Sequence, residues 1–463
     1  MKQSLFLILS ILNIQLAFSQ AFTVESIKYS GDNNKRINLV ILSEGYQSSE
    51  FNKFTTDATN FMNSMFSQTP YSEYANYFNV YIIKVPSNES GADHPGTATD
   101  VVEPTSPITN VDTYFNSSYD TGGYHRLLYS FNTSTISTVL ANNFQLYDIA
   151  IVLVNSSEYG GSGGQFAFAS TGMSASEIAV HEIGHSFANL KDEYFQGDEY
   201  LAEGINLTQE TNPSLVKWKN WIGVNGINIY QLSGSVNAKT WYRPHQTCKM
   251  RYLGYPFCSV CTEGVIEKIH SLVSPIDSYT PISSSITNPS FLIDFQLNLI
   301  ETIPNTLQSK WTLNGADFAN NLDHLSVLKT DLNAGINNLT AVVTDTTPLL
   351  RIDNHETIHA YTVSWTIDNS ALGVHEINSQ VNDIKITVYP NPTQDIVNLK
   401  FDSSLNTNLR VDIVSMDGKK IATKTISSSY TSKIDMQSFS NGIYIAKFYS
   451  NNVLIATKKL VKN

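Results

Sequence analysis

Cysteine is scarce in this chain: of 463 residues only Cys248, Cys258 and Cys261 are cysteines, all inside one short stretch. That number excludes the disulfide scaffold of small secreted modules. It leaves one disulfide plus a leftover thiol, which export would favour, or three free thiols, or a second zinc site with nearby His245 as fourth ligand. Positive charge is also short, with 29 Lys and Arg against 41 Asp and Glu and a net charge of −12. No basic patch occurs, which argues against a nucleic-acid-binding surface or an anionic membrane as partner. Long apolar runs are absent after the first twenty residues, so no transmembrane anchor is expected. The one such run, Leu5 to Phe18, follows Lys2 and leads to Ala17-Phe18-Ser19. It reads as a signal peptide over 1–19, cleaved before Gln20, and implies an exported protein.

What is present is ample apolar material, 41% of residues, enough for two to four domains with real cores. The most informative run is 181–194, HEIGHSFANLKDEY, whose first five residues, His181, Glu182, Ile183, Gly184 and His185, form the HExxH pattern. Residues four apart share one helix face, about 6 Å along the axis, so two imidazoles there can point at a single ion. Glu182 sits beside the first ligand and can reach water at that ion without being a ligand. This set serves peptide hydrolysis by a zinc-activated water with Glu182 as general base. Ser174 and Glu177 predict a capping box at the helix start, with Ser176 a second cap candidate. Ile178, Ala179, Ile183 and Phe187 give the helix an apolar side, although Gly184 costs roughly 1 kcal/mol in propensity.

A catalytic zinc needs a third protein ligand and an open position. Asn189 tolerates the left-handed conformation and is expected to end the helix, with Asp192 three residues beyond. Asp192 is the expected third ligand and Glu193, with its longer arm, the alternative. Residues 247–261 read TCKMRYLGYPFCSVC. This run resembles the second signature of the metzincin metallopeptidases, and the resemblance implies Met250 in a tight turn beneath the zinc and Tyr252 as a phenol that coordinates zinc at rest or bonds the oxyanion during turnover. This arrangement resembles the metzincin metallopeptidases, with the helix stop shifted by one residue. Together with SNESGADHPG at 87–96, the motifs resemble the IgA peptidase family of zinc metallopeptidases over roughly residues 21–272. The resemblance implies an endopeptidase with zinc on His181 and His185 and Glu182 as base. It does not imply that immunoglobulin A is the substrate.

Around these motifs the chain alternates strands and helices: strands at Arg36–Leu42, Phe78–Lys84 and Tyr147–Asn155, and an amphipathic helix at 49–68. That is an α/β layer. Residues 86–123 form a long polar loop in which Asp93 and His94 are candidates for a structural site, with plain loop polarity the simpler reading. Gly164 to Ser170 reads as an edge strand lining the substrate cleft. From about 275 strand alternation takes over, at 291–298, 309–313, 338–345 and 359–367, with Trp311 and Trp365 as core residues. Residues 369–382 read as a linker. The closing segment, with ITVYPNPTQDIVNLKF, VDIVSMDGKKI and FSNGIYIAKF, resembles the C-terminal sorting domain of the type IX secretion system. Asp417-Gly418 is expected to make a hairpin turn there, and Pro390 and Pro392 to fix the entry.

The expected architecture is therefore multidomain: signal peptide 1–19, a metzincin-like α/β (α+β) zinc peptidase domain 20–272, then two Ig-like β-sandwich domains at 275–368 and 383–463. The expected function is a secreted zinc endopeptidase that takes protein or peptide substrates and engages the type IX secretion machinery. The alternative is a surface adhesin or binding protein with an inactive peptidase-like domain. Intact Glu182, which binding alone does not need, favours the enzyme.

Overall fold

The computed structural model describes residues 21–370, 385–401, 408–427, 430–450 and 453–463. The expected signal peptide and nearly all of the expected linker lie outside them. No helix among the described residues is long and apolar enough to cross a membrane. The chain divides into two compact units: residues up to Val273 with Thr302–Pro304 and Pro348–Asp353, and the remainder.

In the first unit, the apolar runs form strands β1 (Thr23–Lys28), β2 (Ile37–Glu44), β3 (Phe78–Lys84), β4 (Ile149–Val154), β5 (Gly161–Ser162) and β6 (Ala167–Ser170). They make one sheet in the order β1-β3-β2-β4-β6-β5. The pairs β2–β3, β2–β4 and β4–β6 are parallel, and the edge strands β1 and β5 run antiparallel to their neighbours. Every residue of β2 and β4 is buried. Both sheet faces are thus covered, which is why these strands read as continuous apolar runs. One face carries α2 (Thr133–Asn143), whose Ile136, Val139 and Leu140 join Val40, Leu42, Ile83, Val152 and Val154 in one cluster. Helix α1 (Phe51–Phe66) buries Phe54, Ala58, Phe61 and Met65 and meets α3 (Ala175–Ala188), the helix that carries HExxH. Helix α4 (Ser259–Leu272) packs against α3 and completes the unit.

The QFAFAS segment departs from expectation. Its strand β6 is interior, with all four residues buried between β4 and β5. The edge belongs to the two residues of β5, Gly161 and Ser162. The long loop is anchored by Glu44, a buried carboxylate at the end of β2. It accepts Thr113 Oγ1 at 2.7 Å and the N–H groups of Phe115 and Ser117 at 2.9 Å each.

Among its described residues the second unit is all strand apart from short helical turns. Five strands in the order 285–287, 361–369, 335–345, 307–313, 316–320 and three in the order 324–328, 292–299, 276–280 share one apolar core. In it Trp311 and Trp365 lie fully buried and stacked, centroids 5.8 Å apart at 9°. Farther along, a three-stranded and a four-stranded sheet enclose a separate core of Ile386, Leu399, Val411, Phe448 and Leu460 among others. The hairpin between 409–415 and 420–426 turns at Asp417-Gly418, with Gly418 at φ 83° and its N–H on the Ser415 carbonyl at 2.9 Å. The two cores touch through an apolar cluster of Leu292, Val414 and Ile445.

Candidate metal centre

Helix α3 begins without the capping box. Ser174 takes φ 64° and makes no side-chain cap bond. Glu177 is drawn away: it accepts Lys249 Nζ, and Gln68 Nε2 at 3.0 Å. Lys249 is buried, and a buried ammonium needs that carboxylate more than the helix end does. The helix stops as expected, with Asn189 at φ 56° and the Leu190 N–H on the Gly184 carbonyl at 3.0 Å. The stop has a consequence. It turns the Leu190 carbonyl back onto His185 Nδ1, 2.7 Å away. His181 Nδ1 meets the Lys249 carbonyl at 2.9 Å. Each ring nitrogen facing a carbonyl must be the donor, so both rings are fixed with Nε2 turned inward and bearing the lone pair.

The two Nε2 atoms are 3.1 Å apart. Asp192 closes the triangle, Oδ1 at 3.1 Å from His181 Nε2 and Oδ2 at 3.4 Å from His185 Nε2. Asp192 Oδ1 is buried and makes no hydrogen bond, while Oδ2 accepts Gln196 Nε2 at 2.7 Å. Burial works against the Asp192 charge, but the two histidines outweigh it and hold the carboxyl at about 2. Burial likewise works against charge on His185, and Asp192 raises its pKa nonetheless. The trio attracts positive charge.

Glu182 lies within 4.8 Å of both imidazoles. Burial raises its pKa, against the lowering effect of His181, His185 and Arg126. Gly163, just past β5, rests on it: a Cβ there would lie 1.9 Å from Glu182 Oε2. Beneath the helix, Met250 is fully buried, and a Cβ on Gly184 would meet its Sδ at 2.9 Å. The turn is real, with the N–H groups of Arg251 and Tyr252 both on the Cys248 carbonyl. Gly184, a cost to the helix, admits the methionine.

Glu193 points the other way, as the neighbour of Asp192 in a non-helical segment must. It is fully buried among the cysteines, with Oε1 3.1 Å from Cys261 Sγ, 4.0 Å from Cys258 Sγ and 3.0 Å from Asn206 Nδ2. All three cysteines are free thiols, Cys248 and Cys261 lying 3.6 Å apart. The favoured disulfide is thus not formed, and Cys261 Sγ donates instead to Glu193 Oε1. His245 is not the fourth group either; its Nδ1 turns to the Thr247 carbonyl at 2.7 Å. Burial raises Glu193 and Cys261 well above their usual values and Cys248 to about 12. Burial opposes ionisation of Cys258 too, but hydrogen bonds from its two neighbours lower its pKa below the usual thiol range.

Tyr252 lies on the outer side of the Met250 turn, in contact with its own chain neighbours. It is 45% exposed, with the Arg251 guanidinium 4.5 Å from its ring centre and Tyr255 alongside. The tyrosine beside the trio is Tyr194, whose hydroxyl accepts the same Gln196 amide at 2.6 Å. Tyr194, Asp192, His185 and Gln196 line one pocket of about 200 Å³. Tyr194 lay in plain view in the 181–194 run, yet nothing in its spacing separates it from a surface aromatic.

Residues 25–230 match the family model described as IgA Peptidase M64, and residues 387–463 that of a secretion system C-terminal sorting domain. The first match stops short of the Met250 turn. No curated protein matches the chain. Among solved structures, dimeric latent PorU from Porphyromonas gingivalis is 13% identical over 40% of this chain and 20% of its own, TM-score 0.16. The β-glucuronidase of Parabacteroides merdae is 6% identical over 49% and 28%, TM-score 0.16. The fibronectin(III)-like modules of Clostridium thermocellum CbhA are 8% identical over 40% and 93%, TM-score 0.14. The chain thus spans 20% and 28% of the first two, and scores this low carry no weight for fold or function. Over residues 25–230 the chain is thus similar to the IgA peptidase M64 family, and over residues 387–463 it matches a secretion-system sorting domain that marks it for release or for the cell surface.

Proposed function

We propose that the chain is a secreted zinc-dependent endopeptidase, with zinc on His181, His185 and Asp192 and Glu182 as general base. The observation that supports it best is the triangle of two Nε2 atoms and one carboxylate, with both opposite ring nitrogens held by main-chain carbonyls. Tetrahedral zinc with bonds of about 2.0–2.1 Å needs ligand-to-ligand edges of roughly 3.3 Å. The 3.1 Å between the two Nε2 atoms and the 3.1 Å from His181 Nε2 to Asp192 Oδ1 are close to that edge, the 3.4 Å to His185 Nε2 is from Oδ2, and the buried Oδ1 makes no hydrogen bond. Glu193, committed to the cysteines, is unsuited.

When bound, zinc supplies a Lewis acid and lowers the pKa of the attacking water. Glu182 stands beside the two imidazoles, takes the proton of that water and passes it to the leaving amine. Its burial raises its proton affinity, which suits a group that must both accept and release a proton. Extended substrate is placed along Gly163 and Gly164, where the absence of side chains lets a peptide backbone approach. We assign the phenol that bonds the developing oxyanion to Tyr194, which lines the pocket, with Tyr252 as its rival.

We read the fold as a metzincin-like domain over 20–272 followed by two Ig-like sandwiches at 275–368 and 383–463. The buried Met250 under α3 supports the first part, and the paired sheets the second. The sorting domain would engage the type IX machinery, and the substrate would be a protein or peptide. Chelation should abolish casein hydrolysis, and stoichiometric zinc should restore it. Asp192→Ala should lose the catalytic zinc and Glu193→Ala should keep it. Retention of full zinc and activity by Asp192→Ala would sink the ligand assignment.

A further inference from the structure

The long loop between β3 and α2 gathers His94, Glu103, Asp120 and His125, one donor atom from each lying within 4.8 Å of the others. His94 Nε2 is 3.3 Å from His125 Nδ1, 3.5 Å from Asp120 Oδ1 and 3.6 Å from Glu103 Oε2. His125 Nδ1 is 3.3 Å from Asp120 Oδ1 and 2.8 Å from Glu103 Oε1. These five distances, the two to Glu103 being from its two oxygens, scatter around the roughly 3.3 Å separation that bonds of about 2.0–2.1 Å require of ligands around one small cation.

The four side chains are only 3%, 7%, 0% and 16% exposed in sequence order. Two carboxylates removed from water this far need a positive partner. Main-chain hydrogen bonds supply only part of it: Glu103 Oε2 accepts the Thr105 N–H at 2.8 Å, while Glu103 Oε1, though close to His125, makes no hydrogen bond. The outer atoms are engaged as those of metal ligands are. His94 Nδ1 faces Ser106 Oγ at 3.0 Å, His125 Nε2 faces Glu158 Oε1 at 2.8 Å, and Asp120 Oδ2 accepts the Thr97 N–H at 2.7 Å. Two imidazoles with two carboxylates suit zinc, whereas calcium asks for six to eight oxygens. Asp93 takes no part; its Oδ1 accepts the Val111 N–H within the loop.

We propose that His94, Glu103, Asp120 and His125 form a second zinc site, closed by four protein ligands and therefore structural. It holds the segment that backs the cleft wall. The Arg126 carbonyl, next to His125, accepts the Gly161 N–H at 3.1 Å, and Leu127 bridges to Gly161. Two residues on, Gly163 rests on Glu182.

The test uses the full-length chain reloaded with zinc, and counts zinc per chain in wild type, His94→Gln/His125→Gln, Glu103→Gln and Asp192→Ala. The double variant should hold one zinc fewer than wild type. Zinc X-ray absorption on Asp192→Ala, whose loop is untouched, should show four nitrogen or oxygen ligands and no sulfur. Thermal melting of Asp192→Ala should rise on zinc addition, and that rise should shrink when Glu103→Gln is added. Unchanged zinc in the double variant overturns the site, as does zinc on Asp192→Ala that is absent or sulfur-ligated, which would place it at the cysteine cluster. The absorption measurement needs no loop variant, so a misfolded double variant does not rescue the proposal.

Discussion

Asp192 and Glu193 are neighbours in sequence and opposites in environment. One oxygen of Asp192 lies 3.1 Å from His181 Nε2, while Glu193 is sealed against thiols contributed from residues 248–261. No local pattern distinguishes them, because which side chain faces the imidazoles is set by what fills the space behind the segment. The two histidines and Glu182, by contrast, were legible from spacing alone, since the helix period fixes a shared face for residues four apart. Tyr194 shows the same limit as Glu193: its place beside Asp192 depends on Gln196, which bonds both. If its phenol stabilises the oxyanion, Tyr194→Phe should lower kcat on casein by about 10- to 100-fold with zinc content unchanged, and Tyr252→Phe should leave kcat alone. The reverse pattern would return the role to Tyr252.

At the scale of elements, helix α3 illustrates why local signals succeed at one end and fail at the other. Asn189 ends α3 because only backbone conformation is at issue. The Ser174 cap fails because Glu177 has a long-range partner in Lys249, a residue 72 positions away. The interior position of β6 was equally hidden, since a short apolar alternation fits an edge or a buried strand. The close approach of β5's continuation to the helix is the element-scale feature with a direct functional reading. Gly163→Ala would push a methyl into the Glu182 carboxylate. Its turnover of casein should fall at least about tenfold, the loss typical of a displaced catalytic group, while zinc content and melting temperature stay near wild type. Equal loss of zinc would show instead that the glycine supports the ligands.

For the whole molecule, strand alternation and turn residues made the C-terminal half legible as β-structure, and its last segment carries a matched sorting domain. The contact between its two cores was not legible, because it joins strands some 150 residues apart. Lys447 Nζ, nearly buried, donates to Asp294 Oδ2 at 2.6 Å. Burial works against the Asp294 charge, but Lys447 and Ser326 outweigh it and hold the carboxyl below its usual range. A lowered folded-state pKa means that the stabilisation is present above the unfolded value, about 3.9, and is lost as pH falls through the folded value. Asp294→Asn should therefore lower the melting temperature of this unit at pH 6 and leave it unchanged near pH 2. An effect of equal size at both pH values would show that the ion pair is not its cause.

The peptidase reading turns on whether one carboxylate does the proton transfer beside a metal it does not bind. Zinc content and casein hydrolysis should be measured together on Glu182→Gln, which keeps the shape of the side chain beside Gly163 and removes only its basicity. The expected result is the zinc content of wild type with hydrolysis lower by about 10²- to 10⁴-fold, the range supplied by a positioned general base. Hydrolysis at the wild-type rate with zinc intact would contradict it.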